Sequence, residues 1–146
     1  MASKTQPNND GLQDAGPSEL VNKPNEPAFK LGLTVNKVAF KCKMDKKPVN
    51  VPVTLFNNTN DFASFKIRCT SADIFRVQPP LGMIKPNSRC DITIWYKNQA
   101  KLESITQKHY FAFYHTKADS RTAKEIWTNA NIDGVRRIPA LFEAVP

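Results

Sequence analysis

From Phe29 onward the chain runs in short stretches whose apolar and polar residues alternate with a period near two, and each stretch ends on Asn, Asp, Pro or Gly. A period of two places alternate side chains on opposite faces of a strand, whereas a helix repeats every 3.6 residues. Val51, Val53 and Leu55 alternate with Pro52, Thr54 and Phe56, and Phe65, Ile67 and Cys69 with Lys66, Arg68 and Thr70. Cys90, Ile92, Ile94 and Tyr96 alternate with Asp91, Thr93, Trp95 and Lys97. In Thr106–Thr116, His109, Phe111, Phe113 and His115 fall opposite Tyr110, Ala112, Tyr114 and Thr116. Breakers such as Asn57-Asn58-Thr59-Asn60-Asp61 and Pro79-Pro80-Leu81-Gly82 stand between the runs, where they favour turns.

Leu31–Val35, Val38–Lys41, Phe75–Val77 and Val135–Val145 bring the count to seven or eight half-buried strands, the pattern of an all-β antiparallel sandwich. Val53, Leu55, Phe65, Ile67, Val77, Ile92 and Ile94 are expected inside it. Pro52 cannot donate to a ladder, so it implies an edge strand or a bulge. Ser120–Trp127 loses the alternation and predicts a short helix or helical turn, capped at Asp119/Ser120.

Met1–Ala28 differs in kind. It is rich in Asn, Pro, Gln, Asp and Ser, and it has no aromatic residue. Ordering a backbone costs about 1–2 kcal/mol per residue, which so little apolar surface cannot offset, so residues 1–28 are expected to be a disordered tail and 29–146 the domain. Lys4 and Lys23 against Asp10, Asp14, Glu19 and Glu26 leave the tail at −2, so a chain of net charge +8 carries +10 on its remaining part.

Composition excludes several classes. No apolar run approaches the ~20 residues of a membrane-spanning helix. The opening Met1–Gln6 leads into Pro, Asn and Asp, not into an apolar core, so no secretory signal is expected and a reducing, cytoplasmic setting is. Cys42, Cys69 and Cys90 form no Cys-x-x-Cys pair, and with His109 and His115 they suggest half-buried thiols and packed or surface imidazoles, with no metal site. No phosphate-cradling Gly-rich loop is present, neither histidine has a carboxylate in its own short motif, and neither an enzyme nor a cofactor is expected. Asn57-Asn58-Thr59 matches a glycosylation acceptor but reads as a turn. Lys41, Lys43, Lys46 and Lys47 cluster at one turn and Arg136-Arg137 form a second basic group. Tyr96, Tyr110 and Trp127, the residues available for base stacking, are scattered over separate strands, so a solvated or protein-facing basic surface is favoured over nucleic acid.

The segment Val77-Gln78-Pro79-Pro80-Leu81-Gly82-Met83-Ile84-Lys85-Pro86 resembles the Val-x-Pro-x-x-Gly-apolar-apolar-x-Pro signature of the major sperm protein (MSP) domain family, which also occurs in the vesicle-associated-membrane-protein-associated proteins. In it the prolines stop one strand, Gly82 is expected to allow a turn of positive φ, and Pro86 precedes the next strand. Val51–Asn58, Phe65–Thr70, Glu125-Ile126-Trp127 and Asp133-Gly134-Val135-Arg136-Arg137-Ile138-Pro139 resemble further parts of the family, and the last favours its nematode sperm branch. The resemblance covers Phe29–Pro146.

It implies a seven-stranded immunoglobulin-like sandwich without enzyme activity, acting as a component or accessory factor of the filaments that drive amoeboid sperm motility. The implied partners are major sperm protein filaments or other MSP domains, with a homodimer left open, and the implied place is the cytoskeleton of the sperm pseudopod. The alternative is a cytosolic adaptor that takes acidic, Phe-containing peptides on a basic strand face. For that face Lys66, Arg68 and Thr70 match the family's charged and hydroxyl positions, whereas Tyr110-Phe111-Ala112 stands where the membrane-anchored branch has a Lys-Phe-Met-type triplet. No coiled coil or membrane anchor is expected to follow Pro146. Lys66, Arg68, Thr70 and Tyr110 are the partner-binding candidates.

Overall fold

The computed structural model describes residues 20–146. Their nine strand segments are β1 (Gly32–Leu33), β2 (Val38–Cys42), β3 (Val49–Asn57), β4 (Ala63–Cys69), β5 (Phe75–Gln78), β6 (Leu81–Ile84), β7 (Ser88–Tyr96), β8 (Tyr110–Lys117) and β9 (Gly134–Ala144), with a short 3-10 helix at Leu102–Ser104 and a short α-helix, α1 (Ala123–Thr128). They form two sheets, ordered β1-β3-β7-β5 and β2-β9-β8-β4-β6. The sequence predicts seven or eight strands, and the additional one is β6, which begins inside the Pro79–Gly82 stretch expected to be only a breaker; the chain changes sheet twice, between β1 and β2 and between β5 and β6. Pro79 and Pro80, which lack the N–H a ladder needs, stand at the second changeover.

Alternation places the core as the pattern requires. Val53 and Leu55 on β3 face the same interior as Ile92 and Ile94 on β7, with Val53 opposite Ile92 in register. Phe65 and Ile67 of β4 meet them from the other sheet, and Phe40, Phe75, Tyr96, Phe111 and Phe142 fill one end with edge-on and stacked rings. Val77 is only half-buried, because β5 is an edge strand with a single neighbour.

Pro52 is not on an edge strand, since β3 lies between β1 and β7; it is tolerated because β1 is too short to reach it. It pairs with Thr93 on β7, while β1 covers only Leu55 and Phe56 on β3's other side. One pairing departs from the antiparallel expectation: β2 runs parallel to β9, from Val38 beside Ala140 to Cys42 beside Ala144. A parallel pair needs a long crossover, and here the body of the sandwich provides it.

Three local expectations change. Gly82 does not have a positive φ; it lies within β6, and a Cβ built on it would stand 2.9 Å from Cε2 of the Phe65 ring. Glycine is needed there for close approach. The positive φ in that segment belongs to Asn87, in the turn before β7. The cap of α1 is Thr122, two residues later than Ser120, because Thr122 and Glu125 satisfy each other's backbone N–H in a capping box.

Residues 1–19 of the expected tail lie outside the described residues. Residues 20–28 form a docked strap. Asn22 Nδ2 donates to Pro27 O (3.2 Å) and Val135 O (3.0 Å), Val135 N donates to Pro27 O (3.1 Å), and Ala28 bridges Val135 in parallel. The reason is an open edge: β2 covers β9 only from Ala140 to Ala144, so Val135–Arg137 has backbone groups to pair.

Candidate functional site

The outer face of the larger sheet carries the candidate residues. Inward Phe65 and Ile67 leave Ser64, Lys66 and Arg68 pointing outward on β4. Register then sets rows across the sheet: Lys66 beside Tyr114 and Val135, and Arg68 beside Ala112 and Arg137. Tyr110, opposite Pro139, completes the face towards Thr70.

α1 closes one side. Its Ile126 is buried, and Trp127 Nε1 donates to Ser64 Oγ at 2.9 Å, while Ser64 Oγ donates to Gly82 O at 2.9 Å. Between this wall and the strands lies a groove of about 340 Å³, with Lys66, Arg68 and Tyr114 on the sheet side and Trp127, Asn129 and Ile132 on the other. Ile132 is exposed, Arg68 is exposed and Lys66 is half-buried. Neither cation takes part in either of the two ion pairs found among the described residues. The groove therefore offers two free positive charges beside aromatic and aliphatic surface.

The structure thus brings Lys66 and Arg68 together and sets Tyr110 and Thr70 at the far end of the face. Thr70 is engaged internally. Its hydroxyl lies 2.7 Å from His109 Nδ1 and accepts from Tyr110 N at 3.3 Å. The sequence pattern does not single out Tyr114 or Ile132 as groove residues, and it offers Trp127 as a helix residue, a part of the family resemblance and a stacking candidate, not as a groove wall. Tyr114 was legible from its register with Lys66; the loop that brings Ile132 across has no periodicity to read.

The remaining candidates resolve as structural groups. His109 and His115 are both buried. Burial lowers the pKa of His109; burial, with Lys30 nearby, brings that of His115 down to about 4. His115 Nε2 accepts from Lys30 N at 3.0 Å, and Gly134 leaves the ring its space, since a Cβ there would stand 2.1 Å from Nε2. Asn57 is buried and both its amide hydrogens are used, by Asp61 O (2.7 Å) and Ile84 O (2.9 Å), which makes it the anchor of its turn. Burial raises the thiol pKa of Cys42 and Cys90. Among the described residues, no group of three or more His, Cys, Asp and Glu is placed to hold a metal, and no helix is long and apolar enough to cross a membrane.

The basic groups divide. Lys41, Lys43, Lys46 and Lys47 stay exposed around the β2–β3 turn. Arg136 lines a separate depression with Leu33, Val35 and Val51. Arg137 is paired with Glu26 of the strap at 2.8 Å. Tyr96, considered for base stacking, is in the core.

Comparison with known proteins bears on the family and the fold. The family pattern described as MSP (Major sperm protein) domain matches residues 31–133. An uncharacterized Caenorhabditis elegans protein is 49% identical over 93% of this chain and 89% of its own length. Among solved structures, the C. elegans MSP family member WR4 superposes with a TM-score of 0.64 at 8% identity, over 77% of this chain and 96% of that one. SSP-19, an MSP-domain protein like family member of C. elegans, gives a TM-score of 0.58 at 20% identity, over 71% and 94%.

Proposed function

Because the chain belongs to the MSP (major sperm protein) domain family, a family of non-catalytic protein-interaction modules, we propose that it is a component or accessory factor of the major sperm protein filament system that drives amoeboid sperm motility. The observation that carries a binding role is the groove beside α1, where Lys66 and Arg68 stand unpaired next to Trp127, Tyr114 and Ile132. Cations beside apolar surface suit a partner that presents carboxylates next to a hydrophobic side chain. Net charge favours an accessory role over bulk self-assembly, since a domain of +10 repels its own copies. In this reading the protein works in the cytoplasm, at the cytoskeleton of the sperm pseudopod, and Lys66 and Arg68 make the contact with Tyr110 and Thr70 at its far end.

The same groove supports a second reading, a cytosolic adaptor for acidic, Phe-containing peptides, because its aromatic wall lies within reach of both cations. Two measurements separate them. Growth of major sperm protein filaments, followed by turbidity, changes on adding the purified protein if the first reading holds. If growth is unaffected while an acidic Phe-containing peptide binds, the adaptor reading replaces it.

A further inference from the structure

The strap of residues 20–28 ends on a built carboxylate site. Glu26 Oε1 accepts from Arg137 Nη1 and Oε2 from Arg137 Nη2, both at 2.8 Å, and Oε1 also accepts from Lys23 N at 2.8 Å. The Arg137 and Glu26 side chains are 8% and 18% exposed, so the pair is largely shielded from water. Tyr110 and Tyr114 stand beside the guanidinium on β8, one on each side of Ala112.

Register shows what this pair occupies. Arg68, Ala112 and Arg137 form one row across β4, β8 and β9 on the outer face. Two strand spacings separate the two arginines, about 10 Å. A segment crossing that face from the groove towards β9 meets Arg68 first and Arg137 next. Arg68 is free, and Arg137 is already neutralised by the chain's own glutamate.

From this we propose that residues 20–28 are an internal competitor: Glu26 occupies the Arg137 end of the acidic-partner face, and an incoming carboxylate-bearing segment displaces the strap to bind fully. The inference rests on the reading of Lys66 and Arg68 as the partner contact. The strap suits the role because polar bonds hold it and none of its apolar side chains is fully buried: Leu20 and Pro27 are half-buried and Val21 is 63% exposed. A segment held this way is released without opening the core. Protonation is not the trigger, since Arg137 and the Lys23 amide hold the Glu26 pKa near 2, far below neutral pH. The release comes from competition.

Titration of a fluorescein-labelled hexaglutamate, read by anisotropy at low salt on the full chain, tests this. Glu26→Gln should tighten binding about threefold or more, as expected when a larger fraction of the protein is binding-competent. Asn22→Ala, which loosens the strap and leaves every charge in place, should tighten it in the same direction and speed hydrogen exchange of the Val135 amide. Glu103→Gln removes a charge on an exposed remote turn and should change binding less than Glu26→Gln does. Equal binding by wild type, Glu26→Gln and Asn22→Ala, with Arg68→Glu still weakening it, overturns the competitor and leaves the Arg68 contact standing. Tightening by both strap variants with no effect of Arg68→Glu supports the competitor and removes the contact on which the partner reading depends.

Discussion

The indole of Trp127 is tied to Ser64 by a 2.9 Å hydrogen bond that joins α1 to the outer face of β4. Ser64 is fully buried and passes its own hydrogen to Gly82 O, so one hydroxyl holds helix, strand and signature segment together. Replacing Ser64 by Ala leaves the part-buried indole N–H and Gly82 O without this partner, and an unsatisfied polar group costs up to about 1–3 kcal/mol, the more so the deeper it is buried. Urea denaturation should show that loss, and partner binding should weaken with it because Trp127 forms the groove wall.

Gly82 makes a second claim checkable. If its role is to admit the Phe65 ring, Gly82→Ala forces that ring to shift, and overpacking of this kind costs about 1–3 kcal/mol. Shortening the neighbour in a Gly82→Ala/Phe65→Leu double variant should then cost less than the two single losses combined. Additive losses in denaturant would show that the ring contact is not the reason for the glycine.

The sandwich itself was legible because its information is local. Val53, Leu55, Ile92 and Ile94 declare their inward face by a period of two, and all four are buried. Truncating Ile92 to Ala should cost about 2–5 kcal/mol in the same denaturation assay. What could not be read depends on groups far apart in the chain. The strap is invisible to a count of apolar residues because Asn22 and Glu26 hold it, through Val135 and Arg137 more than a hundred positions away. Arg136 and Arg137 look like one basic group, yet strand alternation sends one to Glu26 and the other to a different depression. Lys66 and Arg68 were readable as outward cations, but the groove beside them is made by a loop without periodicity.

Acid should destabilise the domain in two stages. His115 is neutral in the fold, with a pKa of about 4 against an ordinary 6.5, and it faces Lys30 and Asp133. The unfolded chain binds that proton first, so stability present above pH 6.5 falls as pH drops towards 4, by up to roughly 3 kcal/mol. Glu26, held near 2 against an ordinary 4.5, contributes stability that is lost only as pH falls from about 4.5 towards 2. Melting temperatures recorded from about pH 7 to about pH 2 check this. His115→Gln should reduce the upper stage, leaving the part that buried His109 contributes, and Glu26→Gln should reduce the lower.

Contact through exposed cations has a definite dependence on salt, because charges at a surface are screened over about 8 Å at physiological ionic strength. The most direct measurement is co-sedimentation of the purified protein with major sperm protein filaments at low and at physiological salt, using wild type and Arg68→Glu. Wild type should pellet with the filaments, less so as salt rises, remain in the supernatant when alone, and lose most of its binding on Arg68→Glu. Filaments formed by the protein alone at low salt, or co-sedimentation indifferent to both salt and Arg68→Glu, would contradict the account.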